Sequence, residues 1–322
     1  MNTHRRIESL EDLIELGSGY APARALQVAA LLDLFTHLSD GPLSVEALAE
    51  RTQAPGDALE RLLTVCCALG LLTRDGEVFA NTPVSDAYLV RGRELYQGNA
   101  LRHGMDAWER WGALARDFRP ERGEGPWGEP DDFILAMHNM TMAGRGEALA
   151  RTVDLRGRRR LLDVGGGPGT YSVYLCRANP ELRATVWDLP GAIAIARRLI
   201  AGQPDVRERI ECVEGDWNTD EFGEGYDCLL MSNVVHGRES QAEMKFAKAQ
   251  RALTAGGLMI VQDFILNDAR DGPLPAALFN MYIGAFTFGE LRGLLEAAGF
   301  EDVRVVRRPA REMNSVMTAV RA

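Results

Sequence analysis

The spacing of apolar residues divides the chain into two parts with different secondary structure. Over residues 8–100 apolar positions recur every three or four residues, as they do from Ala25 to Phe35, and this spacing predicts helices. From Arg160 onward, short apolar runs of strand length alternate with helical stretches, which is typical of a parallel sheet with helices on both faces. A chain of 322 residues is long enough for two such domains.

The N-terminal part reads as two helices followed by a hairpin. Ser44 is a good N-cap for the first helix, and the second is predicted from Asp57 to Leu69. Residues 71–79 form two short apolar arms around an Asp-Gly turn, which is a hairpin signal. The order helix, helix, hairpin predicts a winged-helix-like domain over residues 1–100.

Winged helices often bind DNA, so the charge of this segment matters. Between Ser44 and Arg74 four acidic residues stand against three arginines. The second helix offers leucine, valine and cysteine where a base-reading helix carries Arg, Lys, Asn or Gln. We therefore expect a dimerisation domain that packs against a second subunit. A DNA-binding regulator that senses a ligand is the remote alternative, and a mobility-shift assay with a salt titration would reveal it.

Residues 101–150 are predicted to be a helical linker, with a loop rich in Gly and Pro at Pro120–Pro130 and a helix that starts at Asp131. Residues 151–322 are predicted to be an α/β, Rossmann-like domain with seven strands. The strands are expected at Leu161–Val164, Ala184–Trp187, Ile210–Val213, Tyr226–Met231, Leu258–Val261, Asp302–Val306 and Ser315–Val320. Helices are expected between them at Ala192–Ile200, Gln241–Leu253 and Phe288–Ala298.

Composition narrows the function classes further. The formal net charge is −10, and so acidic a surface repels phosphate backbones, so we expect no nucleic-acid partner. The chain has no apolar run long enough to span a bilayer, and acidic residues stand where a signal peptide would be apolar. We therefore expect a cytoplasmic protein without membrane contact.

Cysteine and histidine spacing gives no sign of a metal site. The five cysteines contain no CxxC pair and lie in apolar segments, so we expect buried free thiols. The five histidines show no recognisable ligand spacing, and we expect no metal.

The first predicted strand runs into a glycine-rich segment, LLDVGGGPGT at residues 161–170. Such a turn lets a ligand approach the backbone where a β-carbon would block it. The segment departs from the G-x-G-x-x-G of dinucleotide sites, because Thr170 occupies the sixth position and Pro168 removes an amide donor that a pyrophosphate would use. S-adenosylmethionine has no phosphate, so the loop favours this methyl donor.

Acidic residues follow the next two strands. Asp188 closes the second strand, nineteen residues after Gly169, where a carboxylate can accept from both ribose hydroxyls. Asp216 follows the third strand and can accept from the adenine amino group, with Trp217 packed on the ring. Each acid taken singly is as easily a helix cap or a solvated loop residue. Together with the glycine loop they predict an adenosyl site.

In this order and spacing, LLDVGGGPG, VWDLP, EGDW and NVVH resemble the O-methyltransferase family of the plant caffeic-acid methyltransferases, which also includes bacterial enzymes that methylate phenazines, polyketide aromatics, carotenoid precursors and bacteriochlorophyll pigments. The likeness covers nearly the whole chain. It implies S-adenosylmethionine as donor, S-adenosylhomocysteine as product, a homodimer formed by the N-terminal domain, and a small-molecule methyl acceptor. The candidate donor-binding residues are Asp163, Gly165, Gly166, Gly167, Gly169, Asp188, Leu189, Gly215, Asp216, Trp217, Ser232 and Asn233.

The resemblance also implies a general base at His236, oriented by Asp263. Because a phenol has a pKa of about 10, an imidazole that removes its proton makes the oxygen reactive near neutral pH. The ordinary alternative is a loop histidine hydrogen-bonded to solvent. Relatives bind the acceptor through two helices, although residues at such spacing are most often core. The candidate acceptor-binding residues are Met137, His138, Met140, Asn280 and Met281.

The sequence departs from the family pattern at three places. The usual His-Asp-Trp is His236-Gly237-Arg238, a lysine common in plant members is Ser232, and the loop before the last helix is shortened to residues 281–287. These differences leave two alternatives open: methylation of carbon or nitrogen, or a relative that binds the donor without methylating.

Overall fold

The computed structural model describes residues 6–119, 129–308 and 314–322. Most of the predicted loop Pro120–Pro130 lies outside this range. The chain divides into two compact units, one of Met1–Pro126 with Leu266–Ile283 and one of Trp127–Ile265 with Gly284–Ala322. The domain borders expected near residues 100 and 150 stay predictions.

The described residues form helices and strands in the following order. The helices are α1 (Leu10–Ser18), α2 (Tyr20–Leu31), α3 (Leu34–His37), α4 (Val45–Thr52), α5 (Gly56–Ala68), α6 (Pro83–Leu89), α7 (Gly98–Asp106), α8 (Trp108–Phe118), α9 (Asp132–Met140), α10 (Gly146–Thr152), α11 (Thr170–Ala178), α12 (Pro190–Ala201), α13 (Ala242–Ala252), α14 (Leu274–Tyr282) and α15 (Phe288–Ala297). The strands are β1 (Leu43–Ser44), β2 (Leu72–Asp75), β3 (Val78–Asn81), β4 (Arg160–Val164), β5 (Arg183–Asp188), β6 (Ile210–Glu214), β7 (Tyr226–Ser232), β8 (Leu253–Asp263), β9 (Phe300–Arg307) and β10 (Ser315–Arg321).

The first unit, with α1 to α8 and α14, is mainly helical, as predicted. Ser44 caps α4, since its Oγ accepts from the backbone N–H of Ala47 at 3.3 Å. The hairpin of β2 and β3 turns at Gly76, whose φ is 58°, and β1 completes an antiparallel sheet in the order β1-β3-β2. The apolar run from Ala25 to Phe35 is split into α2 and α3, because Asp33 between them adopts the left-handed conformation.

The second unit contains the predicted seven-stranded sheet, in the order β6-β5-β4-β7-β8-β10-β9. The five strands β4 to β8 are parallel to one another. Strand β10 runs antiparallel to its two neighbours, β8 and β9. Each of the seven lies where its apolar run predicts, although β8 starts five residues earlier than Leu258.

Successive residues of the central strand β4 face opposite sides of this sheet. Leu161 packs in a cluster with Leu175 and Ile193 of α11 and α12, whereas Leu162 packs in a cluster with Phe246 of α13. Helices therefore cover both faces, and the carboxyl ends of the parallel strands form one edge where a ligand site is expected.

Within the described residues, no helix is both long and apolar enough to cross a membrane. The cysteines are all unpaired, and Cys66, Cys176 and Cys228 are buried as expected, whereas Cys67 and Cys212 are only half-buried.

Candidate active site

A cavity of about 970 Å³ opens at the carboxyl ends of the parallel strands, within the second unit. Its size is at the upper end of the range for small-molecule sites. The residues lining it come from α9, the glycine loop, the ends of β5 and β7, and the start of α13. Predicted site residues among them are Met137, Met140, Asp163, Gly165, Gly166, Gly167, Asp188, Leu189, Trp217, Ser232, Asn233 and His236.

The glycine loop needs glycine at Gly165 for two reasons. Its φ of 65° lies in the left-handed region, and a Cβ there would lie 2.6 Å from Cγ1 of Val234. Gly167, at φ 53°, has no atom within 4 Å of the corresponding position. The backbone is thus packed on one side of the loop and open beside Gly167, which suits a ligand that approaches the main chain.

Two acids stand beside this loop, Asp163 buried and Asp188 half-buried. Asp163 accepts from the Ser172 hydroxyl at 2.7 Å, and burial, with the nearby Asp188 charge, raises the pKa of Asp163 to about 7. The Asp188 carboxylate accepts the backbone N–H of Gly167 at 2.8 Å and that of Leu189 at 2.7 Å. Burial raises the pKa of Asp188, although these two hydrogen bonds oppose the shift. Asp188 is therefore tied to the loop, and each of its oxygens keeps a second lone pair for a ligand.

Asp216 and Gly215 are not among the lining residues. The Oδ1 of Asp216 accepts from the backbone and the side-chain amide of Asn218, both at 2.8 Å, so the carboxylate turns into its own loop. Gly215 packs against Trp187, whose ring lies 2.3 Å from the position of a Cβ. Trp217, by contrast, lines the cavity. The adenine role of Asp216 stays a prediction.

Lys245 is a lining residue that sequence reasoning missed. It is buried, and its ammonium donates to the backbone carbonyl of Val234 at 2.6 Å and lies 4.0 Å from the ring centroid of Trp217. Burial lowers the pKa of Lys245 to about 8, opposed by the Asp263 charge. The signal was available, because the lysine lies on the apolar face of the predicted helix 241–253, three residues after the buried Ala242.

His236 and Asp263 lie next to each other. The His236 Nδ1 lies 3.5 Å from Oδ1 of Asp263, and the histidine side chain is 20% exposed against 2% for the aspartate. Asp263 also accepts from the backbone N–H groups of Val235 and Phe264, at 3.2 and 2.8 Å. The carboxylate therefore fixes the loop that carries the histidine as well as facing its ring.

The predicted acceptor residues divide into two groups. Met137 and Met140 line the cavity, whereas the Nδ1 of His138 lies 2.8 Å from the Thr170 hydroxyl at the start of α11. Burial lowers the pKa of His138. Asn280 and Met281 belong to α14 of the first unit, where Asn280 is buried and its backbone carbonyl accepts from Arg61 at 3.5 Å.

Arg145 is another lining residue that the sequence did not indicate. It ends the segment Thr141–Arg145, a kink between α9 and α10 in which Ala143 and Gly144 leave the helical conformation and Gly144 has a φ of 108°. This kink breaks the helical spacing between α9 and α10, so no periodic pattern could assign the arginine to a face.

The chain matches two protein-family models. The O-methyltransferase domain covers residues 130–301, and the O-methyltransferase dimerisation domain covers residues 14–91. Together they account for most of both predicted domains.

Individual proteins of this kind are similar along nearly the full length. A 3-hydroxy-5-methyl-1-naphthoate 3-O-methyltransferase from Streptomyces sahachiroi is 33% identical, over 96% of this chain and 95% of that protein. The tetracenomycin polyketide synthesis 8-O-methyl transferase from Streptomyces glaucescens is 30% identical, over 94% and 95%. An O-methyltransferase family 2 protein from Planctomyces limnophilus, solved in complex with apigenin, superposes with a TM-score of 0.78 at 27% identity, over 98% of this chain and 97% of that one.

Proposed function

The chain belongs to the O-methyltransferase family, and from this premise we propose that it methylates a phenolic hydroxyl on a small aromatic or polycyclic metabolite, with S-adenosylmethionine as the donor. The pairing of His236 with Asp263 beside the glycine loop carries the proposal. The two Streptomyces relatives are named for O-methylation of a naphthoate and of a polyketide, which supports an aromatic acceptor.

The residues of the cavity fit the donor. The carboxylate of Asp188 has lone pairs for ribose hydroxyls, and the open backbone at Gly167 admits a ligand that carries no phosphate. Trp217 offers a flat apolar face for adenine. When bound, S-adenosylmethionine supplies a methyl group on a positively charged sulfur. These residues would hold the adenosyl part and orient it relative to the acceptor.

The base role of His236 follows from the position of its ring. Asp263 faces Nδ1, so it favours the tautomer with a proton on that nitrogen and leaves Nε2 as the acceptor of a proton. Nε2 then takes the proton from the acceptor hydroxyl, and Asp263 stabilises the imidazolium that results. Met137 and Met140 on α9 offer adaptable apolar surface for a planar ring.

The test is His236→Ala, with His103→Ala as a control, because His103 is exposed in the first unit. A hydroxynaphthoic acid serves as the acceptor, and product analysis identifies the methylated atom. We expect His236→Ala to bind S-adenosylhomocysteine as the wild type does and to turn over about a hundredfold more slowly, the usual scale of a general base. Unchanged turnover removes the base role, and a methylated ring carbon replaces the O-methyl proposal with the alternative chemistry.

The first unit supports a homodimer. Apolar side chains of α1 are exposed, among them Leu13 at 56% and Leu16 at 68%, which a second subunit would cover. The strand-helix-helix-hairpin order of β1, α4, α5, β2 and β3 supports a winged-helix-like domain. The leucines of its second helix, α5, are buried and not exposed for contact with DNA.

We place the enzyme in the cytoplasm, where unpaired cysteines stay reduced.

A further inference from the structure

We propose that Arg145 binds a carboxylate group of a ligand inside the cavity. The inference rests on the proposed function, because it concerns the molecules bound at the same site. A carboxylate is present in the aminoacyl part of the methyl donor, and an aromatic hydroxy acid would supply a second one as the acceptor.

The position of Arg145 is the first observation. It lines the cavity from the end of the kinked segment Thr141–Arg145, and Tyr171, which also lines the cavity, lies close enough to affect it electrostatically. The side chain is half-buried, and burial lowers the pKa of its guanidinium below the ordinary value. An arginine still keeps its charge under these conditions, so the cavity holds a partly desolvated cation.

The partner of the guanidinium is the second observation. One of its N–H groups donates to Oδ1 of Asn314 at 3.4 Å, a long hydrogen bond to a neutral amide. Asn314 is itself buried, and its side-chain amide donates to Oδ1 of Asn233 at the end of β7. The described part of the chain gives Arg145 no carboxylate within ion-pair distance. A partly desolvated cation without a counter-charge is costly, and a ligand that brings one reduces that cost.

The other charged groups of the cavity cannot replace Arg145 in this role. Lys245 is already engaged by the Val234 carbonyl and the Trp217 ring. The remaining charges in the lining include three carboxylates that would repel an anion, those of Asp131, Asp188 and Glu239. Among the described lining residues Arg145 is the one arginine, and its planar fork matches the two oxygens of a carboxylate.

A purely structural role is the competing explanation. Arg145 would then hold Asn314, and through it Asn233, without touching any ligand. The two explanations differ in what they predict for ligands that lack a carboxylate, because a structural role changes the affinity for all ligands alike.

The donor arm of the experiment compares two ligands by calorimetry. S-adenosylhomocysteine carries the aminoacyl carboxylate, and 5′-methylthioadenosine keeps the adenosyl part without it. The proteins are wild type, Arg145→Gln, Arg145→Lys and the control Arg151→Gln, since Arg151 is exposed and pairs with Glu147 on α10. If the donor is the source, Arg145→Gln loses about tenfold to a hundredfold in affinity for S-adenosylhomocysteine and nothing for methylthioadenosine.

The acceptor arm uses a hydroxynaphthoic acid and a naphthol, each titrated into protein saturated with S-adenosylhomocysteine. If the acceptor is the source, the same loss in Arg145→Gln falls on the acid and spares the naphthol. In either arm Arg145→Lys should recover part of the affinity, because it keeps the charge and loses the fork.

Two results overturn the proposal. In the first, Arg145→Gln equals Arg151→Gln for all four ligands. In the second, Arg145→Gln weakens methylthioadenosine and naphthol as much as the carboxylates, which assigns a structural role. A thermal unfolding scan of each variant excludes a folding defect as the cause. Failure of the wild type to bind S-adenosylhomocysteine is a different outcome, since it contradicts the proposed function itself.

Discussion

Asp163→Asn should change how the stability of the protein depends on pH. Asp163 is buried to 1% exposure, and its pKa is raised to about 7 in the folded protein, mainly by burial. In the unfolded chain an aspartate titrates near 3.9. Between these two values the folded state holds a proton that the unfolded state has released, so the free energy of unfolding falls as the pH rises through this window.

The size of the effect follows from the two pKa values. From pH 5 to pH 8 the Asp163 carboxyl alone lowers the free energy of unfolding by roughly 2.5 kcal/mol. An asparagine keeps nearly the same shape and a partner for the Ser172 hydroxyl, but it has no proton to lose. The variant should therefore match the wild type at pH 5 and exceed it by about this amount at pH 8.

Urea unfolding at both pH values measures the effect, and the difference between variant and wild type removes the contribution of all other titrating groups. Asp154→Asn is the matched control, because Arg156 holds the pKa of Asp154 at about 2, below the window. Parallel curves for Asp163→Asn and the wild type would mean that Asp163 does not titrate between pH 5 and pH 8, in conflict with a folded-state pKa of about 7. That result would refute the burial argument for this residue.

Two further predictions concern the loop and the dimer. Gly165→Ala should weaken S-adenosylhomocysteine binding at least about tenfold in calorimetry, because the new Cβ would collide with Val234 and the backbone is left-handed there. The control Gly293→Ala has open space beside it and should bind as the wild type does. Equal affinities for the two variants would contradict the packing argument. Leu13→Glu should convert a dimer to a monomer in light scattering, because it places a charge on the apolar face of α1. The control Glu11→Gln on the same helix should leave the dimer intact. A Leu13→Glu protein that is still a dimer would show that this face is not the dimer interface.

The sheet of the second unit was predictable because its strands are buried on both faces. Leu161 and Leu162 point to opposite sides and both pack in apolar clusters, so the strand reads as a continuous apolar run. The first unit was harder. Its helix 25–35 contains no residue that announces a break, and Asp33 adopts the left-handed conformation that splits it without a glycine.

The cofactor side of the site could be predicted further than the acceptor side. Gly165 lies in a turn that needs glycine, and Asp188 ends a strand. Both positions can be recognised from their spacing in the sequence. The hydrogen-bond partner that a side chain chooses leaves no such record: Asp216, in a loop, turns to Asn218, and His138, on α9, turns to Thr170. Arg145 lies at the end of a kink that interrupts the helical phase between α9 and α10, so its place in the cavity could be found only in three dimensions.

The two main departures from the family pattern are physically linked. Gly237 replaces the acid that usually follows the histidine, and it adopts a φ of 66°, which a β-carbon disfavours. The shortened loop supplies Gly284, at φ 111°, and a Cβ on it would lie 3.2 Å from the Cα of Gly237. A larger residue at position 237 would strain its own backbone, and one at position 284 would press on that of Gly237. Gly284 and the glycine after His236 are thus closely packed against each other, next to the histidine that faces Asp263.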